Sequence, residues 1–327
     1  MKYRRLGRTG LMVSEIGYGA WGIGKAQWIG ADDAQSLGAL RRAVEMGLNF
    51  IDTALAYGPN HSERLVGALV REMKVPLHVA TKVPPKNYEW PARRGVPARD
   101  VFPAAHVRKS AEQSLKNLGL ERIDLLQLHV WRDEYLDDHA AGWQEALGEL
   151  KKSGKVRFVG ISVNDHDPAS ALRALSSGLF ETAQIIYNVF DQGPEAEFFP
   201  ACRTHDVGVI ARVPFDEGGL TGTITPATKF PAGDFRNDYF AGNRKRQVWE
   251  RTEALKRLLD GEAKSLPELA LRFCLGPDEV STVIPGMRRV ESVEANVAAS
   301  DGRRLSPALR AALKGHAWAR NFYATAE

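Results

Sequence analysis

Short apolar runs, most of them separated by one stretch of helical period, recur along the whole chain and leave it very few folds. The runs are NFIDTA (49–54), LHVATKV (77–83), IDLLQLH (123–129), VRFVGIS (156–162), TAQIIYNV (182–189), GVIARV (208–213) and STVIPG (281–286). Ahead of them, Gly7 and Gly10 bracket a turn between KYRRL and LMVSEIGYG, which predicts a hairpin leading into a first strand. Runs that are apolar on both faces belong in a parallel sheet covered on both sides. The intervening segments predict helices over 32–47, 62–73, 106–118, 139–152, 168–176, 195–206, 241–260, 266–275 and 290–299, with a last one opening at Ser306-Pro307. Several carry their own start signals: Asp32 with Gln35 and Ser265 with Glu268 in capping-box positions, and Asp167 followed by Pro168. Eight strands alternating with helices favour a closed barrel over a doubly wound sheet. The prediction is a single α/β domain over residues 1–327, a (β/α)8 TIM barrel with an N-terminal β-hairpin and long βα loops.

Two of those loops, 84–105 and 214–240, are too long for tight turns. Both follow strands, so both belong at the face where barrel active sites form. The remaining composition mainly excludes alternatives. The net charge is +4, and the basic pairs Arg4-Arg5, Arg93-Arg94, Lys151-Lys152 and Arg303-Arg304 are scattered, which reads as solvated surface and not as a nucleic-acid site. Cys202 and Cys274 have neither metal nor disulfide spacing. No apolar run approaches the ~18 residues of a membrane span, and no apolar segment follows the basic start as in a signal peptide. The expectation is a cytoplasmic protein with a small-molecule partner and no metal.

Four polar groups fall at the carboxyl ends of successive strands: Asp52 and Tyr57 after the second, Lys82 on the third and His129 closing the fourth. Each alone is commonly structural, but in a barrel these ends converge on one mouth. Carbonyl reduction needs such a set. Hydride arriving at a carbonyl carbon leaves charge on the oxygen, which a proton must meet. A phenol is a reluctant acid at neutral pH. A buried ammonium beside it favours the phenolate, and Asp52 can hold that ammonium charged. The imidazole of His129 can orient the carbonyl or help move the proton. The same Lys82 could instead be a Schiff-base nucleophile, but that role wants a neutral amine and Asp52 opposes it.

These segments resemble the aldo-keto reductase superfamily over essentially the whole chain, in its bacterial and potassium-channel-β-like branch. The resemblance rests on YRRLGRTGLMVSEIGYGAW, FIDTALAYGPNHSERLVGALV, VATKV and DLLQLH, in that order. It implies that Tyr57, Asp52, Lys82 and His129 form a catalytic tetrad. It also implies NADP (NADPH) as cofactor, with NAD less favoured, bound in an extended pose across the barrel mouth. Ser162, Asn164 and Gln184 fall at nicotinamide-amide positions, although Val163 separates Ser162 from Asn164 where the family has them adjacent. Arg212 stands where the family stacks an aromatic ring under the nicotinamide, and its guanidinium can stack there or turn toward Asp216 or Glu217, or toward an anionic substrate. Pro214 and Phe215 lie beside the pyrophosphate path, and Gly286, Met287, Arg288, Ser292 and Asn296 at adenosine-phosphate positions. Ser292 and Ala295 replace the usual Gln or Arg and the usual Glu. Trp21, Tyr88, Trp90 and Trp131, with Phe240, are candidate substrate-pocket aromatics. The implied activity is interconversion of a carbonyl (aldehyde, ketone or sugar) and an alcohol, the alternative being a nicotinamide-binding sensor with slow turnover.

Overall fold

The computed structural model describes residues 1–58, 60–259 and 261–318. The hairpin pairs β1 (Tyr3–Arg5) with β2 (Met12–Ser14) antiparallel, Tyr3 opposite Ser14. Its turn packs backbone to backbone under the barrel. Gly7 has φ +48, and a Cβ there would sit 2.1 Å from the amide nitrogen of Gly208, so no side chain fits.

Eight parallel strands follow: β3 (Tyr18–Gly19), β4 (Phe50–Asp52), β5 (His78–Val83), β6 (Ile123–Trp131), β7 (Val156–Val163), β8 (Thr182–Ile186), β9 (Gly208–Arg212) and β10 (Val280–Val283). Each is hydrogen-bonded to the next in chain order. Parallel bridges from Ile16 to Val283 and from Gly19 to Gly286 join the first strand to the last and close the barrel. Leu6, Leu11 and Val13 of the hairpin pack against Phe50, Ala80, Leu125, Ile210 and Ile284, sealing one end with apolar side chains. The polar site therefore opens at the other end.

The outer layer comprises α1 (Asp33–Glu45), α2 (His61–Met73), α3 (Ala98–Val101), α4 (Ala104–Leu118), α5 (Trp143–Lys152), α6 (Leu172–Ser176), α7 (Phe198–Thr204), α8 (Arg236–Tyr239), α9 (Arg244–Lys256), α10 (Leu266–Cys274), α11 (Val290–Val297) and α12 (Pro307–Lys314). Asp32 and Ser265 cap as expected, accepting from the amides of Gln35 at 2.8 Å and Glu268 at 3.3 Å. Asp167 does not: its carboxylate accepts from Arg132 at 3.2 Å, and a 3-10 turn over Pro168–Ala171 precedes α6. α5 starts later than expected because Gly142, at φ +66, separates it from a 3-10 turn over His139–Ala141. β8 stops at Ile186, short of the expected 189. There Asn188 donates to the carbonyl of Val213 and accepts from the amides of Phe190 and Asp191, so a turn replaces the ladder. The short helices α3 and α8 lie inside the two long loops and were not expected. Both cysteines are buried, and burial raises their thiols. Among the described residues no helix is long and apolar enough to cross a membrane.

Candidate active site

Asp52 is the last residue of β4, and Lys82 lies on β5 with Gln127 of β6 as its register partner. Both charged side chains are buried. The three ammonium protons of Lys82 are fully used: Nζ donates to Asp52 Oδ2 at 2.5 Å, to the Thr53 carbonyl at 2.9 Å and to the Tyr57 hydroxyl at 3.0 Å. The other oxygen of Asp52 accepts from the amides of Gln184 at 2.7 Å and Gln127 at 3.2 Å. A buried ion pair is tolerated when its remaining lone pairs are satisfied in this way.

These contacts fix the charges. Burial alone would strip the proton from Lys82, but Asp52 and the Tyr57 oxygen outweigh it and raise the ammonium above its ordinary value. Burial raises the Tyr57 phenol, and the opposing charges of Lys82 and Arg212 do not bring it back to normal. The resting side chain is thus a phenol primed by, but not ionised by, its neighbour. His129 is buried, and desolvation with the positive charges of Lys82 and Arg212 holds it well below its usual range. It is therefore neutral, with its ring centre 6.1 Å from Tyr57 and 4.3 Å from Trp90.

The loop carrying Tyr57 is held by backbone contact. Gly58, at φ +60, lies against Gly24, where a Cβ would come within 1.7 Å of the Gly24 carbonyl oxygen. Ser62 and Glu63 of the same segment lock the surrounding frame. Ser62 donates to the Ala20 carbonyl, while Glu63 accepts from Thr81 at 2.6 Å and Asn117 at 2.7 Å.

The tetrad opens on a cleft of about 1590 Å³. That exceeds the ~300–1,000 Å³ usual for one small ligand and leaves room for a dinucleotide plus a substrate. Trp21, Tyr88, Trp90 and Gln184 line it beside the tetrad; Arg212, Pro214 and Phe215 line its middle; Gly286, Arg288 and Ser292 line the far part. Among the described residues no group of three or more His, Cys, Asp or Glu could hold a metal.

Four expected cofactor residues do not line the cleft. Met287 is buried, its carbonyl accepting from the Tyr18 hydroxyl. Asn296 is buried in α11. Asn164 has its amide committed to the main chain of Ala92, at 2.9 Å and 3.2 Å, where it anchors the 84–97 loop. Ser162 is buried with its hydroxyl unpartnered, on the strand position between His129 and Gln184. Gln184 spends its Nε2 on Asp52, so its first task is holding the tetrad.

Two aromatics fall elsewhere than expected. Trp131 is fully buried against Tyr135, Trp143 and Phe180, outside the cleft. The register of β6 against β7 shifts between His129 and Trp131, which breaks the alternation that would place both on one face. Phe240 is buried in a satellite cluster with Ile224, Tyr239 and Val248. Arg212 turns to neither Asp216 nor Glu217. It donates to the Val163 carbonyl at 3.0 Å and pairs with Asp165, while Asp216 is taken by Tyr239 and Arg244.

Several residues gave no local signal. Gln127 and Asp165 act across strands. At the far part of the cleft, Arg288 donates to the Ile29 carbonyl, and Arg236 lies 4.4 Å over the Trp28 ring that Arg288 also approaches at 5.8 Å. Asp234 grips Arg236 with two 2.8 Å bonds. One carboxylate thus stands near two guanidiniums and pairs only with Arg236. Burial and the charge of Arg236 lower the Arg288 pKa, as expected where positive charge is in excess and an anion would be welcome.

A model described as the Aldo/keto reductase family matches residues 15–317. "Aldo-keto reductase YhdN" of Bacillus subtilis (strain 168) is 30% identical over 302 residues, covering 90% of this chain and 87% of that one. "L-galactose dehydrogenase" of Arabidopsis thaliana is 31% identical over 311 residues, covering 91% and 88%. The solved structure of aldo-keto reductase AKR11C1 from Bacillus halodurans, in its holo form, superposes with a TM-score of 0.76 at 28% identity, covering 98% of this chain and 97% of that one. Fold, strand-end chemistry and relatives agree: the chain belongs to the aldo/keto reductase family, whose members are carbonyl–alcohol oxidoreductases that use nicotinamide cofactors.

Proposed function

We propose that this protein is an NADP(H)-dependent oxidoreductase in which Tyr57 exchanges the proton and Lys82, Asp52 and His129 set its chemistry. The observation that carries the reading is the fully coordinated Lys82 ammonium 3.0 Å from the Tyr57 hydroxyl, at the floor of a dinucleotide-sized cleft. The residues present fit the cofactor. Behind the cleft wall, between His129 and Gln184, Ser162 holds a buried hydroxyl without a partner, and Arg288 with Arg236 offers excess positive charge at the far part. A bound nicotinamide dinucleotide supplies the hydride. Tyr57 gives its proton to the carbonyl oxygen in reduction and takes it from the alcohol in oxidation. Lys82 stabilises the phenolate left behind, and Asp52, held by Gln127 and Gln184, keeps Lys82 charged. Neutral His129 offers a ring N–H to the same oxygen without competing as an acid.

Arg288 favours NADPH because a guanidinium pairs with a 2′-phosphate through two charge-assisted bonds. Trp21, Tyr88 and Trp90 suit an apolar or sugar-like substrate, and a sugar accords with one relative's name. The test is Tyr57→Phe. Turnover on the best of a carbonyl panel should fall by at least ~10²-fold, as loss of a general acid does, while NADPH fluorescence titration changes little. A variant keeping more than half of its turnover would remove Tyr57 from this role. Wild-type protein that binds NADPH but turns over no carbonyl or alcohol would support the sensor reading instead.

A further inference from the structure

After Arg212 the backbone makes an unusual excursion. Val213, Asp216 and Glu217 all have positive φ, at 56°, 47° and 54°. Glu217 lines the cleft as a result. Each nearby guanidinium is committed to another carboxylate: Arg212 to Asp165, Arg244 to Asp216 and Arg236 to Asp234. Among the described residues no ion pair is made to Glu217.

Its place along the cleft follows from its neighbours. Glu217 feels Arg212, which also acts on Tyr57 and His129, and it feels Arg236, which shares Trp28 with Arg288. Its charge is therefore coupled to both the hydride end and the proposed 2′-phosphate end of the cleft. A dinucleotide stretched from one to the other carries its bridging phosphates past this carboxyl.

We propose that Glu217 is a cofactor-binding residue that acts as a neutral carboxylic acid, donating its O–H to an oxygen of the dinucleotide's bridging phosphates. As a carboxylate it would face two phosphate charges with no cation of its own. As an acid it turns that repulsion into a charge-assisted hydrogen bond. Its surroundings already favour the acid. Partial desolvation of this half-buried side chain first, then the charges of Asp216 and Asp165, push its carboxyl up, to about 8, against the opposing Arg212 and Arg236. The groups behind them are Tyr239 and Arg244 on Asp216, with the His166–Asp191 pair adding its charges there. Asp216 itself is raised to about 6, mainly by burial, so it is the charged member of the two at neutral pH.

The inference rests on the cofactor reading above and is tested apart from turnover. NADPH and NADH are titrated into the full chain by fluorescence between pH 7 and 9.5, above the ~6 of a phosphate monoester's second ionisation. Kd should weaken, approaching tenfold per pH unit above about 8. Calorimetry at pH 8.5 in two buffers of different ionisation enthalpy should show net proton uptake on binding. Glu217→Gln should abolish both the slope and the uptake, while Tyr57→Phe should keep them. A flat wild-type profile with no uptake overturns the proposal, as does a slope that survives in Glu217→Gln. If neither cofactor binds at any pH, the parent reading is overturned, and this one with it.

Discussion

Replacing Lys82 by Met keeps the length and apolar stem of the side chain and deletes the charge. The ammonium lies 3.0 Å from the Tyr57 hydroxyl. At an effective dielectric of about 20, the attraction it offers a phenolate is about 5.5 kcal/mol. If half of the phenolate charge is developed in the transition state, the variant loses about 2.7 kcal/mol there, or about a hundredfold in rate. Asp52 makes this a lower bound, because its carboxylate then faces Tyr57 without its cation. The sign on pH is also determined. Tyr57 already stands above its ordinary value in the folded protein, and loss of Lys82 raises it further. The basic limb of kcat/KM against pH should move to higher pH as the plateau drops. Breaking the buried pair should also cost about 3–5 kcal/mol of stability, nearer the lower figure because Gln127 and Gln184 still hold Asp52. The assay is kcat/KM from pH 6 to 10.5, with NADPH binding as the check on folding. An Asp52→Asn/Lys82→Met double variant should regain stability but not rate. A single variant within threefold of wild type, with its basic limb unmoved, would refute the assignment and leave Lys82 a structural ion.

Two further perturbations address the cofactor. Arg288→Ala should weaken NADPH roughly ten- to hundredfold and spare NADH, since a charge-assisted bond is worth about 1.5–3 kcal/mol; equal losses in the two titrations would mean a fold defect. Asp165→Asn should uncover the Arg212 charge and weaken NADP+ against NADPH by roughly tenfold, as one uncancelled charge in a half-buried site would, whereas Arg212→Tyr should leave the ratio near wild type. An unchanged ratio of dissociation constants in Asp165→Asn would show that Arg212 does not sense the ring.

The barrel was legible because its signals are short in range. Apolar runs and helical period are written within a few residues, and so is the spacing that sets Asp52 and Tyr57 at one strand end. What stayed hidden depends on register or on partners far along the chain. Trp131 stands two residues after His129, and alternation alone puts both in the mouth; the shift of β6 against β7 turns it outward. Asp216 and Glu217 are the acids closest in sequence to Arg212, yet its partner is Asp165, 47 residues earlier, because the curled sheet gathers loops from separate strands. GYGAWG (17–22) has the glycine spacing of a dinucleotide fingerprint, but only a 3-10 turn over Trp21–Ile23 follows it. In the sequence Glu217 stands only as a possible partner for Arg212; its left-handed backbone and its place in the cleft lining appear only in the fold.

The contact of Gly58 with Gly24 ties together one wall of the cleft mouth. With no side chain between them, the peptide units behind Tyr57 and Trp21 stand in direct contact. Tyr88 and Trp90, which also line the cleft, stand on a separate loop moored through Asn164 to Ala92. Changes on that loop can therefore alter which molecules enter while the proton donor keeps its place. A lineage drifting toward a new substrate would be expected to vary around 84–97 and to hold still at 24 and 58. Libraries built to retarget the protein should be randomised on the same side.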